Sequence, residues 1–253
     1  VAGFKDLFSG HAADYARYRP TYPPELFVWL AELSPGRGLA VDVGTGNGQA
    51  AVALAEQFER VIGLDPSAEQ IAQARPRTGV EYRVAAAEAT GLPDGSVDLL
   101  VAAQAFHWFD RGAFLTEATR LLRADGVLAL VTYLLSRITP EVDAIVDRLY
   151  ADLGPYWEPE RRLVEDGYAA VAVPFTQLPS PPFTMRDTWT VDDLTGYIGT
   201  WSALRKAAAA TGENPLEAVA PRLVTAWGEP GPREVVWPLA VRAFRVNAPP
   251  GSA

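Results

Sequence analysis

A doubly wound α/β fold with a mostly parallel sheet is the architecture that residues 36–136 predict. Short apolar runs alternate with helical patterns through this stretch. A glycine-rich turn, Gly44-Thr45-Gly46-Asn47-Gly48, directly follows the first apolar run. An acidic residue, Asp65, closes the second run. Alternation at this rhythm requires right-handed crossovers, which place helices on both faces of a parallel sheet.

Taken in order, Leu39–Val43 is a buried strand ending at Gly44, and Gln49–Phe58 is Ala-rich and helical in pattern. Arg60–Leu64 is the second strand, closed by Asp65-Pro66. Ser67 caps the next helix, with Gln70 at capping-box spacing. Val80–Val84 is the third strand, and Pro93-Asp94-Gly95 turns into the fourth, Val97–Ala102. Gly112–Leu122 is an amphipathic helix with Asp110 as its cap, and Ala124-Asp125-Gly126 turns into the fifth strand, Val127–Thr132. Residues 137–232 are rich in Pro and Trp and carry several helical segments, which predicts an insertion between sheet strands. Glu234–Val246 returns to strand character, and Pro238 within it predicts a bulge or an exposed edge. Residues 248–253 read as a loose tail.

The 253 residues suit one α/β domain, and 49% hydrophobic residues supply its core. The net charge of −9, with no basic run, argues against a nucleic-acid partner and an anionic membrane surface. The chain has no cysteine, which removes disulfides, thiolate zinc sites and thiol nucleophiles and fits the cytoplasm. Val1–Arg19 lacks the order of a signal peptide, and no apolar run approaches the ~20 residues of a membrane span. No His/carboxylate pattern calls for a metal, and the two lysines, Lys5 and Lys206, sit in no Schiff-base motif.

The chemistry lies in the glycine turn. Glycines after a buried strand let the backbone approach a ligand, and the following helix aims free N–H groups at it. An acid at the end of the second strand accepts hydrogen bonds from ribose hydroxyls and disfavours a 2′-phosphate. Asp65 also fits a helix cap, and the two roles are compatible. The glycines run G-x-G-x-G, with Gln49 where a dinucleotide fingerprint has its third glycine, which counts against a nicotinamide cofactor.

Other segments match one family. They are Phe8-Ser9-Gly10-His11 through Tyr15, Arg19-Pro20-Thr21-Tyr22-Pro23, Ala87-Glu88 with Leu92-Pro93, and Gln104-Ala105-Phe106-His107-Trp108-Phe109-Asp110. Gly154-Pro155-Tyr156-Trp157 and Thr200-Trp201-Ser202 extend the match. With the glycine turn, they resemble the class I S-adenosylmethionine-dependent methyltransferases. Within that class the chain is similar to the small-molecule group that includes trans-aconitate methyltransferase.

The resemblance implies a Rossmann-like, seven-stranded sheet with a helical cap inserted after the fifth strand. Residues 1–35 would cover the cofactor, 36–136 bind it, 137–232 select the substrate and 233–247 return to the sheet. The class normally ends its sheet in an antiparallel hairpin, and Phe183–Thr190 with Glu234–Val246 are the candidates. Gly44, Thr45 and Gly46 would lie along the methionine part of S-adenosylmethionine, Asp65 would hold the ribose, and Ala87 and Glu88 would read the adenine edge. Gln104 and Ala105 would sit near the sulfonium, with Tyr15 and Arg19 closing over the cofactor. The product would be S-adenosylhomocysteine, and the acceptor a small molecule methylated on oxygen, with a carboxylate ahead of a phenol.

Two roles are open at several of these residues. Asp42 either orients the glycine loop or meets the cofactor's amino group. His107 either takes a proton from the acceptor or, with Trp108, shapes the pocket floor. Tyr156, Trp157, Tyr197 and Trp201 are candidate substrate contacts; Tyr197 and Trp201, four apart, are expected on one helix face. An anionic acceptor would draw one or two of Arg161, Arg162, Arg186 and Arg205 inward. The rival readings are an NAD-dependent oxidoreductase on the same fold and a cofactor-binding protein that does not methylate. Oligomeric state is open.

Overall fold

The computed structural model describes residues 20–246. Helix α1 is Pro24–Leu33, followed by β1 (Leu39–Val43), α2 (Gln49–Leu54), β2 (Arg60–Asp65), α3 (Ala68–Ala72) and β3 (Val80–Val84). Next come β4 (Val97–Ala103), a 3-10 turn at Phe106–Trp108, α4 (Arg111–Leu121) and β5 (Leu122–Tyr133). A long excursion then carries α5 (Pro140–Asp152), α6 (Arg161–Glu165), β6 (Thr176–Leu178) and β7 (Phe183–Trp189). It continues through α7 (Val191–Gly199), α8 (Ser202–Thr211) and α9 (Pro215–Trp227) to β8 (Arg233–Arg245).

The sheet order is β3-β2-β1-β4-β5-β8-β6, with β7 also on β8. The first five strands in this order are parallel, and the order reverses between β1 and β4. The crevice outside the carboxyl ends of those two strands is where open α/β sheets bind ligands. β8 runs antiparallel to β5. Its other edge takes β7 along Arg233–Leu239 and β6 along Ala243–Arg245. The sheet therefore has eight strands, not the seven expected. The extra strand, β6, is three residues long and lies between proline-containing loops, too short to show a period.

Two further expectations are corrected. Ala124-Asp125-Gly126 is not a turn before the fifth strand but an irregularity inside β5. Leu122 pairs with Val97, and pairing resumes at Val127 with Leu99, across Asp125 at φ +61°. Pro238 marks neither a bulge nor a sheet edge. Its carbonyl accepts from Leu134 N at 3.0 Å, so the side lacking an N–H faces the end of β5, beyond the last rung at Tyr133–Leu239.

Alternation along the strands builds a core on each face. Leu99, Val101, Val127, Ala129 and Val131 pack with Leu26, Phe27 and Leu30 of α1 and with Ala50, Ala51 and Leu54 of α2. Leu100, Ala102, Leu128 and Leu130 face Phe114, Ala118 and Leu121 of α4 on the other side. Leu26, Phe27 and Leu30 are each at most 2% exposed, and burying each contributes about 1.5–3 kcal/mol. Helix α1 is thus packed into the core. Tyr15, Arg19 and the rest of residues 1–19 lie outside the described residues. Helix α9 packs on α5, α7 and α8, and this group shares the core of α1 and α2.

Candidate active site

The turn after β1 is held from three directions. Thr45 N donates to Leu64 O at 2.9 Å, and Thr45 Oγ1 donates to Asp42 Oδ2 at 2.6 Å. Gly46 N donates to Asp65 Oδ2 at 2.9 Å, while Ser67 N donates to Asp65 Oδ1 at 2.9 Å. Ser67 Oγ then accepts from Gln70 N, capping α3 as expected. Asp65 therefore ties the glycine turn to the start of α3.

Two of the glycines are needed for different reasons. Gly44 has φ +68°, and a Cβ there would stand 2.4 Å from the Ala105 Cβ, so β1 and the segment after β4 can meet only at a glycine. Gly46 has φ +55°, but its nearest neighbour would be Gln70 Oε1 at 3.9 Å. The described residues leave the space in front of Gly46 open.

Asp42 is buried, and its Oδ1 has no hydrogen-bond partner among the described residues. Burial pushes its carboxyl up from 3.8 to about 7, against the lowering effect of the Thr45 hydroxyl. Its side chain accepts from the Thr45 hydroxyl, and the Ala51 backbone N–H also lowers its pKa.

Past β3, Ala87 is buried in a narrow turn closed by an Ala86–Ala89 bridge. Glu88 Oε1 accepts from Asp110 N at 2.8 Å, and Asp110 Oδ1 caps α4 through Gly112 N and Ala113 N. Thr90 donates through N and Oγ1 to buried Glu117. The Arg120 guanidinium, with help from Thr90, holds Glu117 down at about 2. The Ala87–Glu88 turn is thus fastened to α4 at both ends.

At the carboxyl end of β4, Gln104 takes φ +55°. Its Oε1 accepts from Thr132 Oγ1 at 2.5 Å and Tyr133 N at 3.1 Å, so its side chain is committed to the end of β5. His107 is buried in the Phe106–Trp108 turn, with Nδ1 2.9 Å from Tyr168 Oη. Burial, reinforced by the charge of Arg161, lowers the His107 pKa to about 3. Tyr168 is fully buried at φ +62°, with its ring edge-on to Phe106. No local sequence signal marks Tyr168, because its contact with His107 is made 61 residues away.

A group of rings stands on the excursion after β5. Tyr150 lies 4.9 Å from Trp157 and 5.7 Å from Trp201, and Trp201 lies 6.1 Å from Tyr197. Tyr197 and Trp201 do meet, but not on one helix face: α7 ends at Gly199, and Trp201 is the N-cap of α8. Tyr156 packs beside them, half-buried. Trp108 packs tilted against His107, with ring centroids 4.7 Å apart. Of the four candidate arginines, Arg161 is the one standing over these rings, 5.1 Å from Trp157 and 5.6 Å from Tyr150. Arg186 is paired with Glu234, Arg162 is exposed, and Arg205 has a partner of its own.

A separate groove of about 520 Å³ runs past Arg137, Asp143, Arg233 and Glu234. Its charged groups are spent elsewhere, Arg137 on Asp147 and Glu234 on Arg186. Among the described residues no group of His, Asp and Glu is placed to hold a metal ion, and no helix is long and apolar enough to cross a membrane.

An open space before a glycine turn, an acid at the end of β2 and a tied turn after β3 define an α/β protein that takes a nucleoside-bearing cofactor. The comparisons narrow that class. Residues 41–130 match a methyltransferase domain family. A Dictyostelium discoideum protein described as a methyltransferase is 40% identical over 204 residues, covering 79% of this chain and 78% of its own. A solved structure from Anaeromyxobacter dehalogenans, described as a type II methyltransferase, shares 50% identity at a TM-score of 0.86 over 91% of this chain and 99% of that one. A methyltransferase structure from Anabaena variabilis shares the fold at a TM-score of 0.55 with 20% identity, over 87% of this chain and 98% of that one.

The chain belongs to the class I S-adenosylmethionine-dependent methyltransferases, and S-adenosylmethionine is its cofactor. The nicotinamide alternative falls with this assignment. The described residues fit the cofactor: they leave room at Gly46, and the buried Asp42 Oδ1, without a hydrogen-bond partner among them, could accept from a cationic donor.

Asp42 yields a prediction. With its folded pKa above its unfolded value, the stability it contributes is full below about 3.8 and is lost as pH rises through about 7. A cationic amino group placed at Oδ1, the second of the two roles open for Asp42, would reverse the shift. Binding of S-adenosylhomocysteine at pH 7 is therefore expected to release about half a proton. Calorimetry in two buffers of different ionisation enthalpy reads this directly; equal enthalpies in both would show that binding does not deprotonate Asp42.

Proposed function

We propose that this protein methylates an oxygen of a small molecule, a carboxylate ahead of a phenol, in the manner of the trans-aconitate methyltransferase group. One observation carries the reading: the one imidazole among the described residues is a poor base. His107 is buried, its Nδ1 is engaged with Tyr168, and its pKa is near 3. A phenol or alcohol needs a base as it reacts, whereas a carboxylate with an ordinary pKa of about 4 arrives ionised.

When bound, S-adenosylmethionine supplies an electrophilic methyl group. In our reading Gly44, Thr45 and Gly46 line its methionine part, Asp65 holds the ribose beside the Gly46 N–H, and the Ala87–Glu88 turn borders the adenine. Gln104 and Ala105 frame the reacting centre, with Tyr15 and Arg19 closing it. The chain then contributes placement and exclusion of water. Residues 137–232 form the substrate-selecting cap, with Trp108, Tyr156, Trp157, Tyr197 and Trp201 against the acceptor. The net charge of −9 supports a small-molecule partner over a nucleic acid, and the lack of cysteine suits the cytoplasm.

The test uses S-adenosylmethionine with a heavy methyl group and a small-molecule extract. A labelled product destroyed by mild alkali is the expected methyl ester; one that survives alkali would refute the carboxylate assignment. His107→Gln is expected to keep the rate within about threefold, because it acts by shape. A fall of about a hundredfold or more would make it a general base.

A further inference from the structure

We infer that Arg161 determines acceptor specificity by binding a carboxylate of the small-molecule acceptor, an inference that rests on the function proposed above. The guanidinium has five N–H donors in a planar fork. Its Nε donates to Tyr150 Oη at 2.9 Å, and it makes no ion pair with any described carboxylate. The acid that would most simply neutralise it, Glu165 on its own helix, instead accepts the Tyr150 hydroxyl proton at 2.6 Å. Glu158, three residues before it, is taken by Lys206 at 2.8 Å and by Ser202. Tyr150 thus spaces the negative charge away from the guanidinium while fixing its orientation.

The position is equally specific. Arg161 is half-buried against the Tyr150 and Trp157 rings, which hold the fork in plane and lower its hydration. It lies within electrostatic range of His107, Tyr133 and Tyr197. Helix α6 packs on the Phe106–Trp108 turn at the carboxyl end of β4. A partly desolvated, oriented guanidinium that no described carboxylate neutralises, at the mouth of the proposed methyl-transfer site, is built for an oxyanion. The flat aromatic walls beside it suit an acceptor with a planar body.

The test reads binding without turnover. Protein saturated with S-adenosylhomocysteine is titrated with benzoate or with benzamide, its neutral counterpart of the same shape. The signal is tryptophan fluorescence, to which Trp157 and Trp201 contribute. Wild type is expected to favour benzoate by at least about tenfold. Arg161→Met is expected to erase the preference with S-adenosylhomocysteine affinity unchanged, and Arg161→Lys to keep part of it. Equal or absent binding of the two probes by wild type would overturn the inference. So would a preference that survives Arg161→Met, or a loss of S-adenosylhomocysteine affinity, which would assign the guanidinium to the cofactor. A failure of the proposed function shows up separately, as absent or alkali-stable product in the labelling experiment.

Discussion

Gly46→Val is expected to fold and to lose S-adenosylhomocysteine binding by more than about a hundredfold, or about 2.7 kcal/mol. The residue sits at φ +55°, so a side chain costs about 1–2 kcal/mol of backbone strain, and somewhat more when β-branched. No described residue lies nearer than 3.9 Å to the added Cβ, so backbone strain is the main expected cost to the apoprotein. At about 2–4 °C per kcal/mol for a chain of this size, the melting temperature should fall by less than about 10 °C. The side chain fills the room the cofactor needs. Gly44→Val provides the contrast: its Cβ meets the Ala105 Cβ at 2.4 Å, and neither atom can rotate away. That variant should fail at folding. Thermal melts and calorimetric titration of both variants separate the two modes. Wild-type affinity in folded Gly46→Val would show that the cofactor lies elsewhere.

Asp65→Ala is expected to weaken S-adenosylhomocysteine about a hundredfold and to lower stability as well. The carboxylate accepts from Gly46 N and Ser67 N, both at 2.9 Å, so its loss frees the glycine turn and uncouples it from α3. Hydrogen bonds to a charged group contribute about 1.5–3 kcal/mol each. The lost ribose contacts add to the loosened loop. Asp65→Asn retains acceptor capacity at one atom and should fall between alanine and wild type. Affinity unchanged in Asp65→Ala, with only the melt shifted, would reduce Asp65 to a helix cap and remove the ribose role.

Local patterns were readable and distant contacts were not. The β1–Gly44 boundary, the acid at Asp65 and the caps at Ser67 and Asp110 are set by neighbours within a few residues, and the structure places them as read. The antiparallel pair of β7 and β8 also matches the segments read for it, Phe183–Thr190 and Glu234–Val246. The three residues of β6 carry no period, and the φ +61° of Asp125 hides an irregular strand behind a turn-like Asp-Gly. Tyr168 reaches His107 only through the fold. Arg161 and Arg162 are adjacent and alike in sequence; only the packing of α6 turns one inward and leaves the other in solvent.

Strand β8 couples the order of synthesis to the order of assembly. It alone joins β5 to β6 and β7, yet it follows all three in the chain. At roughly 5–20 residues per second, a ribosome needs on the order of ten seconds to pass from Tyr133 to Arg245. Through that interval the β8-facing edge of β5 and the whole of β7 lack a partner, and Trp189 waits for Trp237. The nascent protein therefore carries a finished cofactor-binding half beside an open sheet edge. That edge is the surface a chaperone would have to shield before the last strand arrives.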